Sequence, residues 1–288
     1  MISIVVCSID PALRTTFSEN IRQTIGITDF ELIIIENEVE KHSITKAYNI
    51  GAAKAKYPYL CFCHEDIRFL SHNWGEKLII HLSDQETGLI GVVGSIIKPA
   101  APSGVWLNNP HTDRYFMIQG NSTGSDYVKY CNPIGEKKSE VKVIDGLFMC
   151  CRRDIWEENK FDELVFTDFH GYDLDFSLQI QRKYKLYVIY DIELAHLSDG
   201  GNTVTWMDNM LKVSKKWKSI LPVYTSKFEV NKLSLAEYRA YDYFLRSMID
   251  NRYRIFLAFN LTVKLFALKP AYLNNLRIVK YFFKNGRH

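Results

Sequence analysis

The sequence predicts an α/β protein with a mostly parallel central sheet flanked by helices and a C-terminal helical extension. Two observations support this. Apolar, often β-branched runs, which are typical of strands buried on both faces, alternate with segments of helical spacing over residues 2–94. This β-α-β-α-β-α-β order favours a doubly wound sheet with right-handed crossovers. A length of 288 residues with 47% hydrophobic and 24% charged residues fits a large globular domain with an appendage.

Short apolar runs such as ISIVVC and ELIII predict the strands, and the Ala-rich stretch after Ser43 predicts a helix despite Gly51. The first strands are predicted at residues 2–7, 31–35, 59–63 and 89–94, and the first helices at residues 11–24, 43–56 and 74–82. Later elements are predicted as strands at 141–151 and 186–190, a helix at 173–183, and helices from about residue 205.

Residues 98–140 differ in character. They are rich in Pro, Gly, Asn and Ser and show little periodicity, which predicts a segment that is functional or mobile. Within it, Trp106, His111 and Tyr115 are candidates for shaping a ligand cleft, because their rings offer flat apolar faces. The other interpretation is that each side chain packs on the core.

The charge is divided unevenly along the chain. Residues 212–288 hold 16 Lys and Arg residues against 4 Asp and Glu residues, although the whole chain has a net charge of only +3. We therefore divide the chain into residues 1–205 and a basic, aromatic helical extension at 206–288. Such an extension could face an anionic membrane, a nucleic acid, an acidic partner or only solvent.

The cysteines and the N-terminus indicate a cytoplasmic protein. The six cysteines form no CxxC pair, and most lie in apolar runs where a free cysteine behaves as a small hydrophobic residue. The N-terminus lacks the basic start of a signal peptide, and no run of 18 apolar residues predicts a spanning helix.

Polar side chains follow the predicted strands where each strand ends. In open α/β sheets, ligands bind outside the carboxyl ends of the strands. The residues delivered there are Ser8, Asp10, Glu36, Asn37, His64, Glu65, Asp66, Asp145, Gly146 and His196. So acidic a set would repel a diphosphate unless a divalent cation lay between them. No GxGxxG or GxxxxGK[ST] motif is present, so the phosphate cradles of dinucleotide-binding and P-loop proteins are missing.

Four stretches, in this order, resemble the inverting family-2-like GT-A glycosyltransferases of bacteria over residues 1–205. ISIVVCSID resembles the first strand and nucleotide loop, and ELIIIEN resembles the second strand. KAYNIGAAKAKYPYLCFCHED resembles the region ending in the D-x-D motif. VIDGLFMCCRRDIW, followed by FDE and FHGYDLDFSLQIQ, resembles the acceptor-side region.

The resemblance implies a metal site. Asp66 of the HED tripeptide matches the metal-binding aspartate, whereas His64 replaces the first aspartate of the motif. A histidine near the end of the last strand often completes the site, and His196 has that position. The implied cofactor is Mn²⁺ or Mg²⁺, and imidazole remains a ligand for Mn²⁺ although it brings no negative charge.

The resemblance also implies roles at the substrates. Asp173 matches the base that deprotonates the acceptor, and Asp175 would orient the site or cap a helix. A nucleotide-sugar donor would be contacted by Ser8, Asp10, Glu36, Asn37, Lys46, Asn49, Glu65, Asp145 and Gly146. For Lys46 and Asn49, an ordinary position on a helix surface is the other interpretation.

The hypothesis is a glycosyltransferase that moves a sugar from a nucleotide diphosphate to a glycan or a lipid-linked acceptor in cell-surface polysaccharide synthesis. The extension would contact the inner face of the cytoplasmic membrane, with a dimerisation helix as the other interpretation, and no nucleic-acid partner is expected. The alternative is a catalytically degenerate module that binds a nucleotide or glycan, which the histidine at position 64 favours. Nucleotidyl transfer is less favoured, because SIDPALRTT is not a Gly-rich basic loop.

Overall fold

The computed structural model describes residues 1–120, 127–198, 201–269 and 274–285. Residues 121–126 of the irregular segment at 98–140 lie outside the described residues. So do residues 270–273 and 286–288 of the basic extension.

Fifteen strands are present in the described residues. They are β1 (Ile2–Ser8), β2 (Phe30–Glu36), β3 (Tyr59–Cys63), β4 (Ile67–Phe69), β5 (Thr87–Gly91), β6 (Val93–Ser95), β7 (Ile97–Lys98), β8 (Asp113–Gln119), β9 (Tyr127–Cys131), β10 (Lys138–Val141), β11 (Val143–Ile144), β12 (Phe148–Arg152), β13 (Lys185–Ile189), β14 (Leu194–His196) and β15 (Val223–Tyr224).

Nine α-helices are present in the same residues. They are α1 (Pro11–Thr24), α2 (Ile44–Lys54), α3 (Trp74–Ser83), α4 (Arg153–Glu158), α5 (Tyr172–Ile180), α6 (Val204–Lys216), α7 (Leu233–Asp250), α8 (Ile255–Leu268) and α9 (Asn274–Asn285).

A seven-stranded central sheet has the order β10-β13-β5-β12-β3-β1-β2. Strands β1, β2 and β3 run parallel, as do β5 and β13, whereas β12 and β10 run antiparallel to their neighbours. The mostly parallel sheet with flanking helices is therefore confirmed.

Two predicted strands were each wrong in extent. The run at 89–94 divides at Val92 between β5 of the central sheet and β6 of a second sheet. The run at 141–151 divides into the end of β10, β11 and most of β12. In both places the apolar run continues while the backbone leaves one sheet for the other, and hydrophobicity alone does not mark such a turn.

The second sheet was not predicted. It has the order β11-β6-β8-β14-β4, with β9 paired to the outer edge of β8. Strands β8 and β9 come from the segment at 98–140 that lacked clear periodicity. This sheet matters for function because one face of it lies beside the carboxyl end of β3.

Local sequence explains where the helices begin. Asp10 caps α1 by accepting hydrogen bonds from the backbone N–H groups of Ala12 and Leu13, and Ser43 caps α2. Helix α5 begins after Gly171, whose φ of 82° lies in the left-handed region that favours glycine.

The C-terminal helices pack on the sheets. Met207 of α6, Phe244 and Leu245 of α7, and Leu265 of α8 belong to the same apolar core as β1 and β3. The division at residue 205 stays a prediction. No helix among the described residues is both long enough and apolar enough to cross a membrane.

Candidate active site

A cleft of about 840 Å³ lies where the carboxyl end of β3, the end of β14 and the N-terminus of α5 meet one face of the second sheet. It brings together six of the predicted site residues: His64, Asp66, Asp145, Gly146, Asp173 and His196. Trp106 and Tyr115, predicted to shape a cleft, also line it; His111 is not among its lining residues. Five of the ten residues expected at the strand ends therefore lie together in this cleft, and Asp173 joins them.

His64, Asp66 and His196 form a cluster. His64 follows β3 directly, and antiparallel pairing of β14 with β4 sets His196 opposite Ile67, the residue after Asp66. The Nε2 atom of His196 lies 3.4 Å from Oδ2 of Asp66, and Nδ1 of His64 lies 3.9 Å from Oδ1. Each side chain offers one ligand atom, and these atoms lie within 4.8 Å of one another.

The cluster fits a divalent cation. The buried Oδ1 atom of Asp66 has no hydrogen-bond partner among the described residues, which leaves a lone pair free for a metal. Burial raises the pKa of Asp66, but the hydrogen bond and charge of His196 and the nearby His64 outweigh burial and hold that pKa well below its usual range. Two imidazoles and one carboxylate suit Mn²⁺ and other first-row divalent metals.

Tyr172 fixes the orientation of His64. Its hydroxyl lies 2.7 Å from Nε2 of His64, which leaves Nδ1 facing Asp66. Gly146 makes room for this hydroxyl, because a Cβ atom at that position would lie 2.1 Å from it. Partners of this kind orient metal-binding histidines in many proteins. The glycine predicted to admit the donor therefore contacts a tyrosine.

Asp173 is suited to accept a proton. It lies in the first turn of α5, and burial together with the negative charge of Asp145 raises its pKa to about 7. Hydrogen bonds from the backbone N–H groups of Leu174 and Gly146 offset the rise only in part. A carboxylate with a pKa near neutrality is poised for general base catalysis.

Asp145 borders the same space. Its Oδ2 atom accepts a hydrogen bond of 2.9 Å from Nε1 of Trp106, and its Oδ1 atom accepts one of 3.1 Å from the N–H of Leu147. Asp145 thereby anchors the loop that carries Trp106 against the floor of the cleft.

Eight predicted site residues are not among those lining the cleft: Ser8, Asp10, Glu36, Asn37, Lys46, Asn49, Glu65 and Asp175. Glu65, between the two metal-ligand candidates, has its carboxylate on the N–H groups of Ile9 and Asp10 at 2.9 and 3.2 Å. The buried Ser8 hydroxyl lacks a hydrogen-bond partner within the described chain. Their donor-binding roles stay predictions.

The end of β2 is held by local contacts. Glu36 is exposed and pairs with Arg14 of α1 at 3.2 Å. Asn37 is buried and closes the following turn through two hydrogen bonds to the backbone of His42. Lys46 is exposed on α2. Any nucleotide contact by these three side chains stays a prediction.

Two further predicted residues hold helices in place. Asn49 on α2 donates to the carbonyl of Phe161 and accepts from Nε1 of Trp156. Asp175 is 1% exposed and binds Nζ of Lys216 at 2.7 Å and Nε1 of Trp217 at 2.8 Å. Asp175 therefore connects α5 to the end of α6 away from the cleft.

Tyr172, Lys129 and Trp206 are among the cleft residues that were not singled out from the sequence. Tyr172 stands between Gly171 and Asp173, and its sequence position is that of an ordinary core aromatic residue. Lys129 lies on β9, where the alternation Tyr127-Val128-Lys129-Tyr130 could have indicated a strand with one face toward a cleft.

Solved structures share this fold. One is GalNAc-T7 with UDP, GalNAc and Mn²⁺, with a TM-score of 0.51 and 14% identity over 88% of this chain. The chain spans 57% of the length of that protein. Another is the mannosyltransferase PcManGT from Pyrobaculum calidifontis in complex with GDP-Man and Mn²⁺, with a TM-score of 0.51 and 11% identity over 99% of this chain and 87% of that one.

The fold is that of the GT-A glycosyltransferases. A model of the glycosyltransferase-like family matches residues 3–217, about three quarters of the chain, and the protein belongs to that family. It is therefore a transferase enzyme, as predicted. A search of curated proteins gave no match.

Proposed function

We propose that the protein transfers a sugar from a nucleotide-diphosphate sugar to a hydroxyl of a glycan or lipid-linked acceptor, with inversion at the anomeric carbon, in cell-surface polysaccharide synthesis. One observation supports this proposal above all. The carboxyl group of Asp173, whose pKa is raised to about 7, lies in the same cleft as the cluster of His64, Asp66 and His196. Both relatives above were solved with a nucleotide or nucleotide sugar and Mn²⁺.

In this mechanism the oxygen of the acceptor hydroxyl bonds to the anomeric carbon, and Asp173 accepts the proton that this hydroxyl loses. The bond from that carbon to the diphosphate oxygen breaks, and the nucleoside diphosphate leaves with the electron pair. A single displacement of this kind inverts the anomeric centre. His64, Asp66 and His196 would hold Mn²⁺ or Mg²⁺, which when bound neutralises charge on a diphosphate.

The donor and the metal are tested together by thermal shift. UDP, GDP, CDP and dTDP are each added with and without Mn²⁺. Because a bound ligand stabilises only the folded state, we expect one nucleotide to raise Tm, and to do so more with Mn²⁺. Equal stabilisation with and without Mn²⁺ would contradict metal binding by the cluster, but it would not contradict sugar transfer. No response to any nucleotide would favour a degenerate binding module.

We also propose that α8 contacts the inner face of the cytoplasmic membrane, which would place the protein in the cytoplasm. Phe256, Phe259 and Val263 on this helix are 91%, 63% and 57% exposed, and an apolar face of this kind seats in a lipid interface. Lys264 beside them and Lys280 on α9 are exposed and would meet anionic headgroups.

Sedimentation with lipid vesicles tests this contact. We expect the protein to sediment with phosphatidylglycerol vesicles and not with phosphatidylcholine vesicles, and we expect the double variant Phe256→Ser/Phe259→Ser to stay in solution. The control is Val39→Ser, which removes an 86% exposed apolar side chain far along the sequence. Equal sedimentation of the double variant and the wild type would contradict the proposal, as would failure of the wild type to sediment.

A further inference from the structure

One wall of the cleft is a face of the second sheet. Side chains alternate between the two faces of a strand, so every second residue of β8 and β9 points to the same side. The wall residues are Asp113, Tyr115, Met117 and Gln119 of β8 and Tyr127 and Lys129 of β9. Antiparallel pairing sets Lys129 opposite Met117, in the middle of this wall.

Lys129 is held between aromatic rings. Its ammonium lies 4.8 Å from the ring centre of Trp106 and 5.5 Å from that of Tyr127. Its one polar contact among the described residues is a long hydrogen bond of 3.4 Å to Oε1 of Gln119. Cation–π contacts keep the side chain extended into the cleft without neutralising its charge.

No carboxylate in the described chain lies within ion-pair distance of Lys129. Asp145, an acidic neighbour in the cleft, is already occupied by the Trp106 ring nitrogen and the Leu147 N–H. Gln119, the hydrogen-bond partner of Lys129, lies opposite His196 in the parallel pairing of β8 with β14. Within the part of the chain that the structure describes, Lys129 therefore presents a cation without an ion-pair partner on the side of the cleft that holds the histidine–aspartate cluster.

We propose that Lys129 binds an anionic oxygen group, a phosphate or a carboxylate, of a substrate in this cleft. A lysine ammonium is a compact point charge that commonly binds such groups. This inference rests on the proposed transferase function. The anionic group could belong to the diphosphate of the donor or to a charged acceptor sugar. The flat faces of Trp106, Tyr115 and Trp206 nearby suit the sugar ring that would accompany the anion.

The test uses Lys129→Gln, which removes the charge, and Lys129→Arg, which keeps it. The matched control is Lys137→Gln, an exposed lysine on the loop after β9 and outside the cleft. Isothermal titration measures Kd for glucose 1-phosphate, for glucose, and for UDP and GDP with Mn²⁺. These measurements need no turnover, so they can be interpreted whether or not the protein transfers a sugar.

Removing a charged partner should weaken binding of at least one anionic probe by roughly tenfold to a hundredfold in Lys129→Gln, with Lys129→Arg and Lys137→Gln near the wild type. A loss confined to the nucleotides with Mn²⁺ identifies the donor diphosphate as the source, and a loss confined to glucose 1-phosphate identifies an acceptor group. Unchanged Kd values for every anionic probe in Lys129→Gln would overturn the proposal, and so would a wild type that binds none of them. Transfer activity in the wild type with unchanged Kd values would overturn this inference and leave the proposed function standing.

Discussion

Replacing Asp173 with Asn should lower the rate of sugar transfer by about 100-fold to 10,000-fold while the Kd for the donor nucleotide stays within about twofold. The amide has the shape of the carboxyl group and cannot take the acceptor's proton. Asp173 lies in the first turn of α5, inside the cleft, and no predicted nucleotide contact involves it. Initial rates with the donor identified by thermal shift, together with titration of the nucleoside diphosphate, measure the two quantities.

The pH dependence follows from the same residue. Burial and the charge of Asp145 raise the pKa of Asp173 to about 7, so the base is ionised above that pH and protonated below it. We expect kcat/KM of the wild type to fall about tenfold per pH unit below pH 6 and to level off above pH 8. The residual activity of Asp173→Asn should lack this slope.

The stability of Asp173→Asn should change in the opposite direction to its activity. A folded-state pKa above the unfolded value means that ionising the carboxyl disfavours folding at every pH above the unfolded pKa of about 4. Removing the charge should therefore raise Tm at pH 8, and the gain should vanish as the pH falls below about 4. A variant that lost both activity and Tm at pH 8 would indicate a structural role for Asp173.

Asp175→Asn is the matched control, two residues away on the same helix. Asp175 is buried against Lys216 and Trp217, so its loss leaves an ammonium and an indole N–H with a poorer acceptor. We expect a loss of stability of about 1–3 kcal/mol and, at a temperature where the variant is folded, a small change in rate. A loss of rate equal to that of Asp173→Asn would contradict the separate roles of these two carboxylates.

Much of the fold could be predicted because its signals are local. The helix predicted at 11–24 agrees with α1 since Pro11 and the Asp10 cap lie next to each other in sequence. The second sheet could not be predicted in this way. Strands β6, β11 and β14 contain only two or three residues, too few for a periodic pattern, and their pairing depends on partners far along the chain.

The site residues, like the fold, could be predicted only where the signal is local in sequence or follows from sheet topology. His64, Asp66 and His196 follow apolar runs, and the topology of an α/β sheet brings strand ends together, so their convergence could be predicted. Tyr172 and Lys129 act through contacts with residues distant in sequence, and nothing beside them marks those contacts. Asp10 and Glu36, at the ends of β1 and β2, also fit the strand-end rule. However, Asp10 caps α1 and Glu36 pairs with Arg14.

Replacing Asp66 with Asn should weaken Mn²⁺ binding by at least about 100-fold, because it removes the charged ligand between two neutral imidazoles. Substituting an outer partner of a metal ligand already costs about 10-fold to 100-fold in affinity, so loss of the carboxylate itself should cost no less. Titration of Mn²⁺ followed by electron paramagnetic resonance measures free and bound metal directly, without nucleotide or turnover.

Glu65→Gln provides the control within the same tripeptide. The Glu65 carboxylate points to the backbone N–H groups of Ile9 and Asp10, away from the cluster, and the amide oxygen of Gln can still accept those hydrogen bonds. Its Mn²⁺ affinity should therefore equal that of the wild type, although the two acids are neighbours in sequence. The opposite ranking, with Asp66→Asn unaffected and Glu65→Gln impaired, would move the metal to the end of β1. It would also mean that His64 follows β3 for a reason other than metal binding, such as its hydrogen bond to Tyr172.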